Sequence, residues 1–182
     1  MANYSEKIWK TRKIRINTEA RLNKWATIFD ILIPLYSLNF IIITILPIAK
    51  KDDWISFISI TGSLIILVVS IVVANRNHKI RAYKMMLHYI KLDQIYTRIQ
   101  SANEADKESI YNEYLNELTT IENHNNSDYL KTIIESRNDE GSGFPQVGKV
   151  NFLKYYLIKL VSYVIILFLF GLPVLIDLLI IL

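Results

Sequence analysis

The chain has 182 residues, 52% of them hydrophobic, with 21 Lys and Arg against 17 Asp and Glu, a net charge of +4 and no cysteine. The missing thiol excludes disulfides, zinc thiolate centres and cysteine nucleophiles. A mean hydropathy of +0.25 is high for a soluble domain, and the pI of about 9.1 points either to an anionic membrane surface or to nucleic acid.

The first element is basic: Lys7, Lys10, Arg12, Lys13, Arg15, Arg21 and Lys24 stand against Glu6 and Glu19. Nearly unbroken apolar runs then cover 31–48, 55–74 and 156–182. Each is close to the roughly 20 residues a helix needs to cross about 30 Å of hydrocarbon. One such run could be a buried core helix, but the remaining residues cannot cover three, so three membrane spans are expected. The first run starts too late for a cleavable signal, carries Asp30 near its start and lacks a small-residue cleavage site, so it is expected to insert itself.

Charge sets the expected orientation. Lys50, Lys51, Asp52 and Asp53 form a very short linker between spans 1 and 2, Arg76, Lys79, Arg81 and Lys84 follow span 2, and Lys149, Lys154 and Lys159 precede or open span 3. Lys and Arg near span ends favour the cytosolic side. Every basic cluster except Lys50-Lys51 then falls on one side, with the N-terminus and 76–148 cytosolic and the C-terminus outward. Trp9, Trp25 and Trp54 suit interfacial anchoring. Because the charge sits where topology already requires it, no direct nucleic-acid binding is expected.

The middle region reads as helical. Met85, Leu92 and Ile99 lie seven apart, with His88 and Ile95 on the same face, predicting a helix that continues from span 2. Ser101 to Glu104 reads as a capping box for the next helix, whose apolar face is Ile110, Tyr114, Leu118 and Ile121. Asn125 to Asp128 forms a turn and a second N-cap cluster, followed by a short helix carrying Tyr129, Leu130, Ile133 and Ile134. Gly141 to Pro145 breaks the chain before span 3. The expected class is an all-α membrane protein: a basic juxtamembrane helix over 1–24, a transmembrane helical hairpin over 25–75, a cytosolic helical region over 76–148 and a C-terminal hydrophobic helix over 149–182.

Little catalytic chemistry is legible. No phosphate-cradling glycine loop is present, and His78, His88 and His124 have no partner at ligand spacing. No nucleophile–base pair stands out, so neither an enzyme nor a cofactor or metal is expected. Glu122, His124 and Asp128 concentrate polar side chains at a helix junction, which suits capping and turns or, second, contact with a trigger or partner. Inside the membrane, Asp30, Ser37 and Thr44 are seven apart in span 1, and Ser56, Ser63 and Ser70 in span 2, with Ser59 and Gly62 nearby. Seven residues is about two helical turns, so each trio lies along one face. Close packing through small residues explains such stripes. The sharper reading is an aqueous path lined by hairpins from several copies, with Asn39 a further interhelical hydrogen-bonding candidate. Pro34 and Pro47 bracket span 1 and are candidate kinks.

The residues also carry a resemblance. The basic helix with Glu19-Ala20-Arg21-Leu22 precedes a tight hairpin. Arg81-Ala82, Tyr89-Ile90 and Leu92 to Tyr96 follow, then Glu122-Asn123-His124 before Asp128-Tyr129, and a hydrophobic C-terminus closes the chain. In this order they resemble the SLATT superfamily, two-transmembrane effectors of bacterial conflict systems, and within it family 5. The resemblance implies anti-phage defence in which the effector disrupts the inner membrane, causing abortive infection. It also implies a partner of one of three kinds: a nucleotide-second-messenger synthetase, a nucleotide sensor or a reverse transcriptase. The expected function is a homo-oligomer that permeabilises the lipid bilayer when triggered. The alternative is a non-enzymatic, membrane-anchored adaptor that recruits a cytosolic defence enzyme.

Overall fold

A computed structural model describes residues 4–50, 53–123, 125–136, 144 and 148–181, with the side chains of all of these except 46–50 and 179–181. These residues form six helices and no strand: α1 (Tyr4–Lys50), α2 (Asp53–Arg76), α3 (His78–Ser101), α4 (Glu104–Leu118), α5 (Asn126–Glu135) and α6 (Lys149–Ile181). Three helical stretches are long and apolar enough to cross a membrane: Tyr4–Ile45, Asp53–Ser101 and Lys149–Leu178. The protein is an all-α, multi-pass membrane protein with polar helical segments between its apolar ones. The basic segment and the first apolar run are one helix of 47 residues, about 70 Å long at 1.5 Å per residue. It continues through Pro34 and Pro47 without ending.

Two expectations of continuity and capping are corrected. α2 and α3 are separated by Asn77 at φ 48, in the left-handed region that asparagine tolerates better than most side chains. Ser101 is not an N-cap. The apolar face of α3 extends through Ile99, so Ser101 ends that helix and donates to its Thr97 and Arg98 carbonyls at 3.2 Å each. The residue before α4 is Asn103, and Glu104 and Asp106 in the first turn complement the helix dipole.

The chain divides into two compact units, residues 1–23 with 79–157 and residues 24–78 with 158–182, so α1 and α6 contribute to both. In the first, α1 buries Ile8, Arg15 and Leu22, seven apart and therefore on one face. α3 buries Ala82, Met85, His88, Leu92, Ile95 and Ile99. One apolar cluster joins Ile8, Leu92, Ile95, Ile99, Ile110 and Tyr114, and another joins Leu22, Ala82 and Met85 with Ile121 against them. Each fully buried leucine or isoleucine here stabilises by about 1.5–3 kcal/mol. α5 forms as the short helix expected, and much of its buried face is polar. It buries Asp128, Thr132 and Ile133, followed by Ser136, whereas Tyr129 is exposed. The buried polar positions recur every four residues, and α1 meets them with polar side chains of its own.

In the second unit α1 buries Ile28, Leu32, Tyr36, Phe40 and Ile43, a stripe at helical spacing, against Ile55 of α2. Trp25, Ile66, Ile166, Leu169, Phe170, Leu172 and Ile176 pack around it. Outward of this seam, α2 exposes Ile60, Leu64, Leu67, Val68 and Ile71, and α6 exposes Leu160, Val161, Val164 and Phe168. Such continuous apolar faces suit lipid.

Candidate functional site

The α1–α2 seam is built on small residues. α2 buries only Ile55, Ser59 and Gly62, four and then three residues apart. A Cβ at Gly62 would stand 2.1 Å from Phe40 Cε1, so the Phe40 ring occupies the place of a side chain. Beside it the Thr44 and Ser59 hydroxyls are in contact, and Thr44 also donates to the Phe40 carbonyl at 2.6 Å. Of the two seven-residue stripes, Thr44 joins this seam, and its partner Ser59 lies off the Ser56–Ser63–Ser70 row. Ser37, Ser63 and Ser70 donate to carbonyls of their own helices, those of Ile33, Ser59 and Leu67. Asp30 is exposed, Ser56 half-buried and Ser63 exposed.

The α1–α6 seam holds what sequence reasoning missed. Pro173 lies inside α6, and its ring nitrogen has no proton for the Leu169 carbonyl four residues back. The Tyr36 hydroxyl donates to that carbonyl at 2.8 Å. One turn beyond the proline stands Asp177, and the Asn39 Nδ2 amide donates to both of its carboxylate oxygens at 2.8 Å. Tyr36 and Asn39 are three residues apart, hence on one face of α1. Each answers a polar defect of α6 that hydrocarbon would leave unsatisfied. Asp177 was legible as the one acidic or basic side chain of α6 beyond Lys159.

The other unit contains a buried polar node. Asp128, 2% exposed, accepts from Arg21 Nε at 2.8 Å and Nη2 at 3.0 Å, and from the Thr18 hydroxyl at 3.0 Å. It also reaches back to the Asn125 backbone amide at 3.4 Å, one arm of a capping box. One turn along, Asn17 donates to Thr132 Oγ1 at 2.9 Å and to Glu135 at 3.1 Å. Glu122 serves two helices. Its carbonyl accepts from Arg15 Nη1 at 2.5 Å and its carboxylate from Arg81 Nε at 2.7 Å. His124 lies outside the described residues.

Arg15 and His88 are buried polar side chains among the apolar residues that α1 and α3 bury. Burial lowers the Arg15 pKa against the opposing pull of Glu122, Tyr114 and Asp128. His88, 2% exposed, faces the Glu117 carbonyl through Nε2 at 3.3 Å. A carbonyl only accepts, so Nε2 carries the proton. Burial, then the Arg15 charge, lowers the His88 pKa from its usual 6.5, Lys91 adds to this, and Glu117 opposes it. Below 6.5 the unfolded chain therefore binds more protons than the folded one. This contribution to stability is complete above that pH and is lost as the pH falls toward the folded value. In urea titrations at pH 7.5 and 5.5, His88→Gln should lose less stability on acidification than the parent. Equal losses would remove His88 from the pH response.

Among the described residues no group of three or more His, Asp or Glu side chains is placed to hold a metal ion. A family model described as SMODS and SLOG-associating 2TM effector domain family 5 matches residues 2–179. The match takes in nearly all of α6, although the description names two spans. No curated protein and no solved structure is significantly similar to the chain.

Proposed function

The chain belongs to family 5 of the SMODS- and SLOG-associating two-transmembrane effectors of bacterial conflict systems, and from that premise we propose that it permeabilises the inner membrane. It acts as a homo-oligomer that opens when a partner senses infection. The observation that carries this reading is the set of polar groups, Ser37, Asn39 and Thr44, that α1 holds within its apolar stretch, with the Asp177 carboxylate on Asn39. An ionisable side chain within the membrane marks a substrate or ion pathway by default, and Asp177 is such a group, beside hydroxyls and an amide of the kind that join helices. The N-terminus and 76–148 face the cytosol and the C-terminus faces outward, as the Lys and Arg distribution favours. Reporter fusions at the three positions test that orientation, and a cytosolic C-terminus would mean that α6 does not cross.

The input is a nucleotide-second-messenger synthetase, a nucleotide sensor or a reverse transcriptase acting on the turn between α4 and α5. Glu122 is exposed there for direct contact, with His124 beside it in sequence. Asp128, being buried, would pass the signal to α1 through Arg21. Within the membrane, Asp30, Ser37, Thr44, Ser56, Ser59, Ser63 and Ser70 are the groups proposed to line or close the path. Expression in bacteria under triggering conditions should cause potassium efflux and dye entry. In planar bilayers, Asp30→Asn should weaken cation preference several-fold and Asp30→Lys should reverse it, because a ring of carboxylates concentrates cations at a mouth. Unchanged selectivity in both variants removes Asp30 from the path. Absence of leakage from assembled protein favours the adaptor.

A further inference from the structure

We infer that the Asn39–Asp177 pair is a latch that holds the path closed by pinning the end of α6, beyond Pro173, against α1. The inference rests on the permeabilising role and supplies its gate. Three observations converge. First, Pro173 interrupts the hydrogen bonding of α6, so the segment beyond it can turn as a piece; prolines are where long helices bend. Second, that segment has one polar tether, the Asp177 carboxylate on the Asn39 amide at 2.8 Å. Lipid tails supply no hydrophobic drive between helices, so their association rests on van der Waals packing together with interhelical hydrogen bonds, of which a charge-assisted one is among the stronger. Third, the tether is incomplete. Asn39 is 6% exposed, yet its Oδ1 has no hydrogen-bond partner. A carboxylate held by one amide, with an unanswered carbonyl beside it, is a pair that entering water would complete.

The seam therefore has two satisfactory arrangements. In the dry one, Asn39 and Tyr36 answer Asp177 and the Leu169 carbonyl while Leu172 and Ile176 close against α1. In the wet one, water solvates all four polar groups and the tip of α6 has turned away. A bistable element of this kind can be biased by small changes elsewhere.

The chain contains no cysteine, so spin labels report the seam cleanly. One pair, at Ile45→Cys and Leu178→Cys, lies beyond the proline. A control pair, at Leu35→Cys and Leu160→Cys, lies before it, and all four positions are exposed. The full chain is reconstituted in liposomes, and distances and potassium efflux are read on the same samples. Asn39→Leu strands the carboxylate and should raise the separated fraction of the outer pair about tenfold, with efflux rising alike and the control pair unchanged. Asp177→Asn keeps an amide partner and should stay closed. The double variant Asn39→Leu with Asp177→Leu removes the stranded carboxylate and its partner, leaves Tyr36 answering the Leu169 carbonyl, and should close again. Unchanged outer distances in Asn39→Leu overturn the latch, even if efflux rises, and leave permeabilisation standing. Movement of both pairs also overturns it, because the bond would then be a general support. Separation of the outer pair alone without efflux shows that the bond pins the end of α6 but overturns both permeabilisation and the bond's role as its gate.

Discussion

Replacing Asp128 by leucine is expected to destabilise the full chain in mild detergent by about 3 kcal/mol, a fall in Tm of roughly 6–12 °C for a chain of this size. The carboxylate is 2% exposed and holds two bonds from Arg21 and one from Thr18. Removing it strands a guanidinium in a partly buried site. Breaking a buried pair costs about 3–5 kcal/mol, and the lower end applies because the Arg21 side chain is 31% exposed and water softens its loss. Thr18→Val removes one neutral donor and should cost only about 1 kcal/mol. The decisive variant is the double replacement, Asp128→Leu with Arg21→Met. If the loss comes from the stranded charge, the second change should restore much of the stability, since apolar pairs of similar volume often replace buried ion pairs at little cost. A double variant as unstable as Asp128→Leu alone would instead assign the loss to the Thr18 bond and the capping of α5.

The same node shows where the sequence was readable and where it was not. Period alone placed Met85, His88, Leu92, Ile95 and Ile99 on one buried face, because an apolar residue among polar neighbours has one reason to recur at helical spacing. It did not show the polar face of α5. There Asp128, Thr132 and Ser136 are buried alongside Ile133, and a polar residue looks the same in sequence whether it meets water or the Asn17, Thr18 and Arg21 of a distant helix. Asn39 was visible as a bonding candidate, but its partner lies 138 positions away, and no local pattern carries that distance. Asp177 is an isolated charge and Pro173 a helix breaker in an apolar run, but neither by itself points to a partner. Only the register of α6 on α1 shows that Asn39 and Tyr36 answer them.

The second large effect is expected at Gly62, where the hairpin tests which face of α2 packs. A Cβ there would lie 2.1, 2.3 and 2.8 Å from Phe40 Cε1, Cζ and Cδ1, well inside contact. The ring is itself buried in the cluster with Tyr36, Ile43 and Ile55. Gly62→Leu should therefore force the helices apart, at about 1–3 kcal/mol for an overpacked site. Helices in lipid associate through close van der Waals contact, so little else opposes the separation. The readout is a disulfide between Thr44→Cys and Ser59→Cys, positions whose hydroxyls touch in the parent. It should form in high yield with Gly62 present, fall with Gly62→Leu, and recover when Phe40→Ala supplies the space. Full cross-linking in the Gly62→Leu chain would show that the seam is held elsewhere. Recovery by Phe40→Ala would make Ser59 and Gly62 a packing face inside each copy. The Ser56, Ser63 and Ser70 row would then be left as the side of α2 that can meet water or a second copy.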